Sequence, residues 1–125
     1  MSFVPTNAVV WFEIPTTDLR RARTFYETVT GMSLREDDSG PNPMVLFPAQ
    51  DDKTGVAGHL YPGQPAKDGG GNTIHLAVEG QLEDALRRVP EVGGKVTSDI
   101  IKIPPGRFAY CQDPDGNSIG LFTFS

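Results

Sequence analysis

Two histidines and a glutamate are the side chains of this sequence with the clearest chemical potential. His59 and His75 are its only histidines, and Glu13 and His75 lie in the similar stretches Trp11-Phe12-Glu13-Ile14 and Thr73-Ile74-His75-Leu76. Because imidazole titrates near neutral pH, His75 is the natural proton donor or acceptor, with Glu13 as its carboxylate partner. The pair would act as acid and base or bind a polar ligand. The alternative is that both histidines are ordinary polar residues in or near a cleft.

An internal repeat supplies the elements that position these side chains. The strands match at an offset of 62 residues, as in Glu13 and His75, and the helices after them match at 63, as in Leu19 and Leu82. A repeat of this kind determines the architecture. Each half is too small to be a stable domain, so the sequence predicts one domain with a cleft between two packed halves.

Each half follows the order strand, helix, strand, strand, strand. Apolar, β-prone runs mark the strands, apolar residues at helical spacing mark the two helices, and stretches rich in Gly, Pro and Asp mark the turns. We expect the first strand, over 8–14, to stop at Pro15, and a single strand to cover 95–101. In the last strand, alternation places Ser118, Gly120 and Phe122 on one face and Ile119 and Leu121 on the other.

The predicted fold class is therefore α+β, with two βαβββ modules packed together. The whole chain, 1–125, is expected to be one domain. Its predicted parts are module one at about 7–62, a linker at about 63–71 and module two at about 72–125.

The amino-acid composition limits the classes of partner that the protein is expected to bind. The 125 residues carry a net charge of −5, which argues against a nucleic-acid partner, since such a partner needs a basic face. An acidic balance favours solubility and suits a cationic ligand. No apolar run approaches the length of a membrane span. The single cysteine, Cys111, and a start without a basic region lead us to expect a cytoplasmic protein.

Two runs of residues carry a resemblance to a known family. The first is Asp18-Leu19, followed by Phe25-Tyr26 and Gly31; the second is Asp113-Pro114-Asp115-Gly116-Asn117 with Ile119 and Leu121 after it. With these runs the chain resembles the vicinal oxygen chelate superfamily, the group of glyoxalase I, extradiol dioxygenases, and fosfomycin and bleomycin resistance proteins. The resemblance covers essentially the whole chain. It implies the two βαβββ modules around one cavity and, at this length, a homodimer.

The resemblance also implies a divalent metal in the cavity, held by His, Gln or Glu side chains. The positions that correspond to its ligands are Trp11, Thr73, Gly120 and a position near Gly58. These residues offer neither carboxylate nor imidazole, so we expect no metal and no other cofactor.

A different metal site is the competing interpretation. Glu13, His59 and His75 each lie one or two residues from those positions, and two histidines with one carboxylate form a recognised group for iron or zinc. His59, however, is expected to point away from the face of Gly58, since a shift of one residue along a strand reverses the face.

Two functions follow. The first is a metal-free protein that binds or sequesters a small molecule in the cleft between the modules, as bleomycin-resistance proteins do. The alternative is an enzyme, a lyase, isomerase or dioxygenase relative, that uses Glu13 and His75, with His59 and a divalent metal as possible additions. We expect a small-molecule ligand and a homodimer, with no nucleic acid and no membrane. The candidate ligand-binding residues are Trp11, Glu13, His59, Thr73, His75, Tyr110, Gly120 and Phe122.

Overall fold

The computed structural model describes residues 2–51 and 55–124, and its elements follow the order of the repeat. The first half comprises β1 (Trp11–Thr16), α1 (Leu19–Thr30), β2 (Arg35–Asp37), β3 (Met44–Leu46) and β4 (Ala57–Pro62). The second half comprises β5 (Ile74–Ala77), α2 (Leu82–Arg88), a 3₁₀ turn (Pro90–Val92), β6 (Lys95–Val96), β7 (Ile101–Ile103), β8 (Gly106–Gln112) and β9 (Ser118–Thr123). No helix in the described ranges is long and apolar enough to cross a membrane.

Each half builds its own mixed sheet. In the first half the strand order is β1-β4-β3-β2, with β1 parallel to β4 and the other neighbours antiparallel. In the second half the order is β5-β9-β8-β6, with β5 parallel to β9 and β7 also paired with β8. The first and last strands of each half therefore lie side by side. The α+β fold class is confirmed.

Helix α1 begins and ends where its sequence signals predict. The side chain of Asp18 accepts a hydrogen bond from a backbone N–H of the first turn, which satisfies one of the groups that a helix start leaves free. The helix ends at Gly31, whose φ of 84° is the left-handed conformation that glycine adopts at little cost. Between these ends, Ala22, Phe25 and Val29 recur at helical spacing and are fully buried.

The hydrophobic core lies between the helices and the two sheets. Strand β9 shows the predicted alternation, because Ile119 and Leu121 are fully buried in the core while Ser118 and Phe122 on the other face are half-buried. One face of the sheet thus packs under the helices, and on the other face the His75 ring covers Gly120.

A buried polar network joins the two halves. The Tyr26 hydroxyl donates to Oδ2 of Asp113 over 2.6 Å, and the side-chain amide of Asn117 donates to Oδ2 of Asp113 and to the carbonyl of Pro15. Burial, with the Asp113 charge beside it, raises the pKa of Tyr26 well above its ordinary value, so the hydroxyl stays protonated and donates. The turn before β9 is thereby fixed to α1.

A second set of contacts lies at the helix ends. Asp115 accepts hydrogen bonds from the Thr16 and Thr17 hydroxyls and from the Arg21 guanidinium. Burial pushes the pKa of Asp115 upward, but these donors outweigh it and hold the pKa below its ordinary value. On the other side, Arg88 of α2 donates to two carbonyls in the last turn of α1, which have no partner within the helix.

Two strands differ from the sequence-based expectation. Strand β1 begins at Trp11 and not at residue 8, and it does not stop at Pro15 but continues to Thr16. It has a hydrogen-bonded neighbour, β4, on one side alone, and a proline in such an edge strand need not interrupt a ladder.

The expected single strand over 95–101 is two short strands, β6 and β7. The Ser98 hydroxyl explains the break, because it accepts the backbone N–H of Tyr110 over 2.9 Å in place of a strand carbonyl. A side chain that bonds the backbone locally competes with the ladder of the sheet.

Candidate functional site

The pairing of first and last strands decides which residues face each other. Glu13 of β1 lies opposite His59 of β4, and His75 of β5 lies opposite Gly120 of β9. Since Glu13 and His75 are equivalent in the repeat, the counterpart of Gly120 is His59. The position that the sequence placed near Gly58 is therefore that of the next residue, His59.

Gly58 has a different role. It lies opposite Phe12, and a Cβ atom at Gly58 would come within 2.3 Å of the Phe12 carbonyl oxygen and 2.5 Å of its ring. The glycine lets that ring pack closely against β4. The pairing of β4 with β1 defines the register of β4.

Three side chains of the first sheet form a hydrogen-bonded chain, which we call the indole–imidazole–carboxylate chain: Trp11, His59 and Glu13. The Trp11 indole N–H donates to Nδ1 of His59 over 3.0 Å, and Nε2 of His59 lies 3.1 Å from Oε1 of Glu13. An indole can only donate, so Nδ1 must accept and the imidazole hydrogen must be on Nε2, where it points at the carboxylate. Both ring nitrogens of His59 are thus engaged.

The chain opens onto a cleft of about 740 Å³ between the two halves, the inter-half cleft. The His59 side chain is 11% exposed, whereas that of Glu13 is 61% exposed. The buried imidazole therefore supports the Glu13 carboxylate, which faces solvent. Trp11 is half exposed. The polar and aromatic residues that line the cleft are Trp11, Phe12, Glu13, Gln64, Asn72, Thr73, Asn117 and Ser118.

His75 belongs to a separate group on the second sheet, the His75 aromatic cluster. Its ring lies 4.9 Å from that of Phe108, 5.8 Å from that of Tyr110 and 6.3 Å from that of Phe122, edge-on to both phenylalanines. These contacts suit the quadrupoles of the rings. Burial lowers the pKa of His75, because removing the ring from water disfavours its charged form.

Gly120 makes the position of the His75 ring possible. A Cβ atom at Gly120 would lie 2.1 Å from Nδ1 and 2.4 Å from Cε1 of His75. The imidazole therefore lies across the backbone of β9, where only glycine leaves room for it.

The structure divides the residues for which we predicted one cavity into two groups. Trp11 and Glu13 line the inter-half cleft, and the carboxylate of Glu13 bonds to His59 behind them rather than to His75. His75 lines a neighbouring groove of about 560 Å³ along β5. Thr73 borders both spaces and shares a short hydrogen bond with Ser118. The role of these residues in ligand binding stays a prediction.

Comparison with known proteins agrees with this architecture. The model of the Glyoxalase/Bleomycin resistance protein/Dioxygenase superfamily matches residues 8–121. The chain belongs to this superfamily. None of the curated proteins matches it.

Several solved structures of the superfamily type share the fold. A glyoxalase/bleomycin resistance protein from Albidiferax ferrireducens T118 is 19% identical with a TM-score of 0.71, covering 93% of this chain and 98% of its own. TnmS3, an antibiotic-binding protein from Streptomyces sp. CB03234, is 24% identical with a TM-score of 0.63, covering 98% and 100%. The fosfomycin resistance protein FosX from Mesorhizobium loti is 18% identical with a TM-score of 0.63, covering 98% and 94%. At these identities the likeness shows the fold alone.

The residues present do not fit the divalent metal that the superfamily implies. With the register corrected, the four corresponding positions hold Trp11, His59, Thr73 and Gly120. They provide one imidazole, and both of its nitrogens are engaged by other side chains. Among the residues that the structure describes, no three His, Cys, Asp or Glu side chains come close enough to hold an ion together. A divalent metal needs three or four such donors.

Two other side chains that could take part in chemistry, Cys111 and Arg107, are constrained by their surroundings. Burial raises the pKa of the Cys111 thiol to about 11, so the sulfur is not a thiolate at neutral pH. The Arg107 guanidinium makes a two-pronged ion pair with Glu83, which lowers the pKa of that carboxyl to about 2.

Sequence reasoning missed three polar residues of the inter-half cleft. Gln64 reaches it from the linker and Asn72 from the start of the second half, and no pattern in a stretch rich in Gly and Pro signals this. Asn117 borders the cleft from the turn before β9. Phe108, whose ring lies nearest to His75, could be placed from the sequence, because alternation along β8 puts it on the same face as Tyr110.

Proposed function

We propose that this protein binds a small organic molecule in the inter-half cleft and sequesters it without a metal. The observation that carries the proposal is the cleft itself, which at about 740 Å³ falls within the range of small-molecule sites. Its wall combines a half-exposed indole with a few polar groups. Such a site gains affinity from apolar burial and orientation from the polar contacts.

Two features support binding over catalysis. The donor set at the superfamily's metal positions is depleted, so chemistry that relies on a metal loses its support. Among proteins of the same fold, TnmS3 is described as an antibiotic-binding protein, and its chain is covered completely. That analogy concerns the fold and extends to this chain only as part of the proposal.

We further propose a homodimer. Tyr110 is 37%, Ile103 39% and Phe124 75% exposed, all in the second sheet or directly after it. Apolar groups gathered in this way are typical of surfaces that another chain covers. A symmetric pair is the commonest closed assembly. The cytoplasmic location expected from the sequence stays a prediction.

Aromatic fragments test the binding function. We would titrate a set of soluble aromatic fragments into the ¹⁵N-labelled protein and follow the amide and indole resonances. Binding in the cleft predicts saturable shifts that cluster at Trp11, Thr73 and Ser118, with weaker binding in Trp11→Ala. Shifts scattered over the surface, or shifts centred on the helices, would contradict the proposal. Val96→Ala, on an exposed strand of the second sheet, serves as the control.

The second candidate function is an enzyme that uses Glu13 and His75, with His59 and a divalent metal as possible additions. One observation favours it: the His75 imidazole has no hydrogen bond to any described residue, and its lowered pKa keeps it neutral and able to accept a proton. Calorimetric titration of Zn, Ni, Mn and Fe(II) into chelator-treated protein separates the candidates. Sub-micromolar, one-to-one binding that disappears in Glu13→Ala and His75→Ala would favour the enzyme.

A further inference from the structure

We infer that the corner formed by Trp11 and Glu13 in the inter-half cleft is a recognition site for an organic cation. The ligand class is an ammonium or guanidinium group attached to an apolar body. The inference rests on the proposed function, because it names the chemistry of the ligand that the cleft receives.

The charge of the inter-half cleft favours a cation. Within the described ranges, Glu13 is the one ionisable side chain on its wall. The remaining lining is apolar or carries amides and hydroxyls, as at Gln64, Asn72 and Thr73. A cation entering the cleft meets one negative charge and no described positive one, while the net charge of −5 draws cations toward the molecule.

The Glu13 carboxylate makes a hydrogen bond to a described residue through one of its two oxygens. Its Oε1 takes the Nε2–H of His59, and Oε2 has no partner among the described residues. One carboxylate oxygen therefore remains for a donor from the ligand. Because the His59 side chain beneath it is largely buried, the carboxylate has a firm support on one side.

The indole beside it is oriented by the same imidazole. The Trp11 N–H is fixed on Nδ1 of His59, and about half of the residue stays exposed. Tryptophan has the aromatic face that attracts cations most strongly, and a carboxylate next to it adds a direct charge contact. His59 is thus a positioning residue that sets the indole and the carboxylate relative to each other.

Three compounds of similar shape test the charge preference. Benzylamine, which is a cation at pH 7.5, benzyl alcohol, which is neutral, and benzoate, an anion, would each be titrated while the fluorescence of Trp11, the only tryptophan, is recorded. We expect benzylamine to bind about 10-fold more tightly than benzyl alcohol, and benzoate not to saturate. Equal affinities of benzylamine and benzyl alcohol would overturn the inference.

Two carboxylate variants locate the preference. In Glu13→Gln the affinity for benzylamine should fall to that for benzyl alcohol. In Glu91→Gln, which removes the same charge from an exposed site in the 3₁₀ turn, the 10-fold preference should remain. The preference for benzylamine could survive Glu13→Gln or fall equally in both variants. Either result would show that the preference comes from the overall charge of the protein and not from the Trp11–Glu13 corner.

The positioning role of His59 has its own readout. His59→Phe keeps a ring but removes both hydrogen bonds, so the Trp11 indole N–H resonance should move to the position of a solvent-bonded indole and the preference for benzylamine should be lost. An unchanged indole resonance would show that His59 does not position the Trp11 indole. The outcomes separate the two proposals. If benzylamine and benzyl alcohol bind the cleft equally, the cation preference is contradicted and the binding function is not. If none of the three compounds binds, both proposals are contradicted.

Discussion

The Tyr26 hydroxyl is a buried group that joins the two halves through its hydrogen bond to Asp113. It is completely buried, and its partner Asp113 is 3% exposed and also accepts the backbone N–H groups of Asp115 and Asn117. A carboxylate so deeply buried needs every donor that it has, because an unsatisfied buried charge is costly. This network, whose members Pro15 and Asn117 also line the cleft, thereby holds the two halves together.

Tyr26→Phe should therefore destabilise the fold. The change removes one donor from Asp113 and leaves the ring in place, and we expect a loss of about 1–3 kcal/mol in the free energy of unfolding. Urea denaturation followed by circular dichroism measures it. Tyr110→Phe removes an exposed hydroxyl as the control and should cost less than about 0.5 kcal/mol. Similar losses in both variants would contradict the role of the Tyr26–Asp113 bond.

His75 predicts a dependence on pH. Burial lowers its pKa in the folded state, so the unfolded chain binds this proton more readily. The stabilising effect of the neutral ring is complete above the unfolded value of about 6.5 and is lost as the pH falls through the range below it.

An NMR titration of the His75 ring carbons should show a midpoint below about 6.5. His75→Gln should lose less stability than the parent protein between neutral and mildly acidic pH, since it has no ring to protonate. A midpoint at or above the ordinary value would show that the aromatic cluster does not shield the imidazole.

At the scale of elements, the repeat offers a comparison within one chain. The helices α1 and α2 occupy equivalent positions, but their starts differ. Asp18 caps α1 with its side chain, whereas Gln81, its counterpart before α2, makes no such bond. Helix α2 instead relies on Glu83 and Asp84 in its first turn and on arginines in its last, which complement the helix dipole.

Asp18→Ala should cost about 1 kcal/mol in the free energy of unfolding, because it removes an N-cap. Gln81→Ala is the matched control at the equivalent position and should change stability by less than about 0.5 kcal/mol. Chemical denaturation of both variants under one set of conditions makes the comparison. Equal effects would mean that the Asp18 side chain does not cap α1 in solution.

Elements also show where sequence patterns succeed. The helical spacing of Ala22, Phe25 and Val29 predicts the buried face of α1, because one face of an isolated helix must be covered whatever covers it. The division of the expected strand over 95–101 had no such signal. It depends on the Ser98 hydroxyl accepting the backbone N–H of Tyr110 in β8, a contact between segments that are twelve residues apart.

At the scale of the whole molecule, the prediction concerns assembly. We expect size-exclusion chromatography with light scattering to report a mass of twice 13.5 kDa at high concentration. Phe124→Ser, at the most exposed aromatic beside the second sheet, should shift the equilibrium toward the monomer if that sheet forms the contact. A mass of one chain throughout the concentration series would refute the homodimer. Glu91→Gln again serves as a variant outside the proposed contact.

The sequence by itself determined the two-part α+β architecture, the helix ends and the inward face of β9, because each follows from spacing and turn chemistry within a short stretch. Only the tertiary structure decided that His59, and not Gly58, faces Glu13, because the register of a strand is defined by its neighbour. The structure alone also shows that Glu13 and His75, equivalent in the repeat, engage different partners. Each lies in its own sheet, and what surrounds a side chain in space depends on residues far away in the chain.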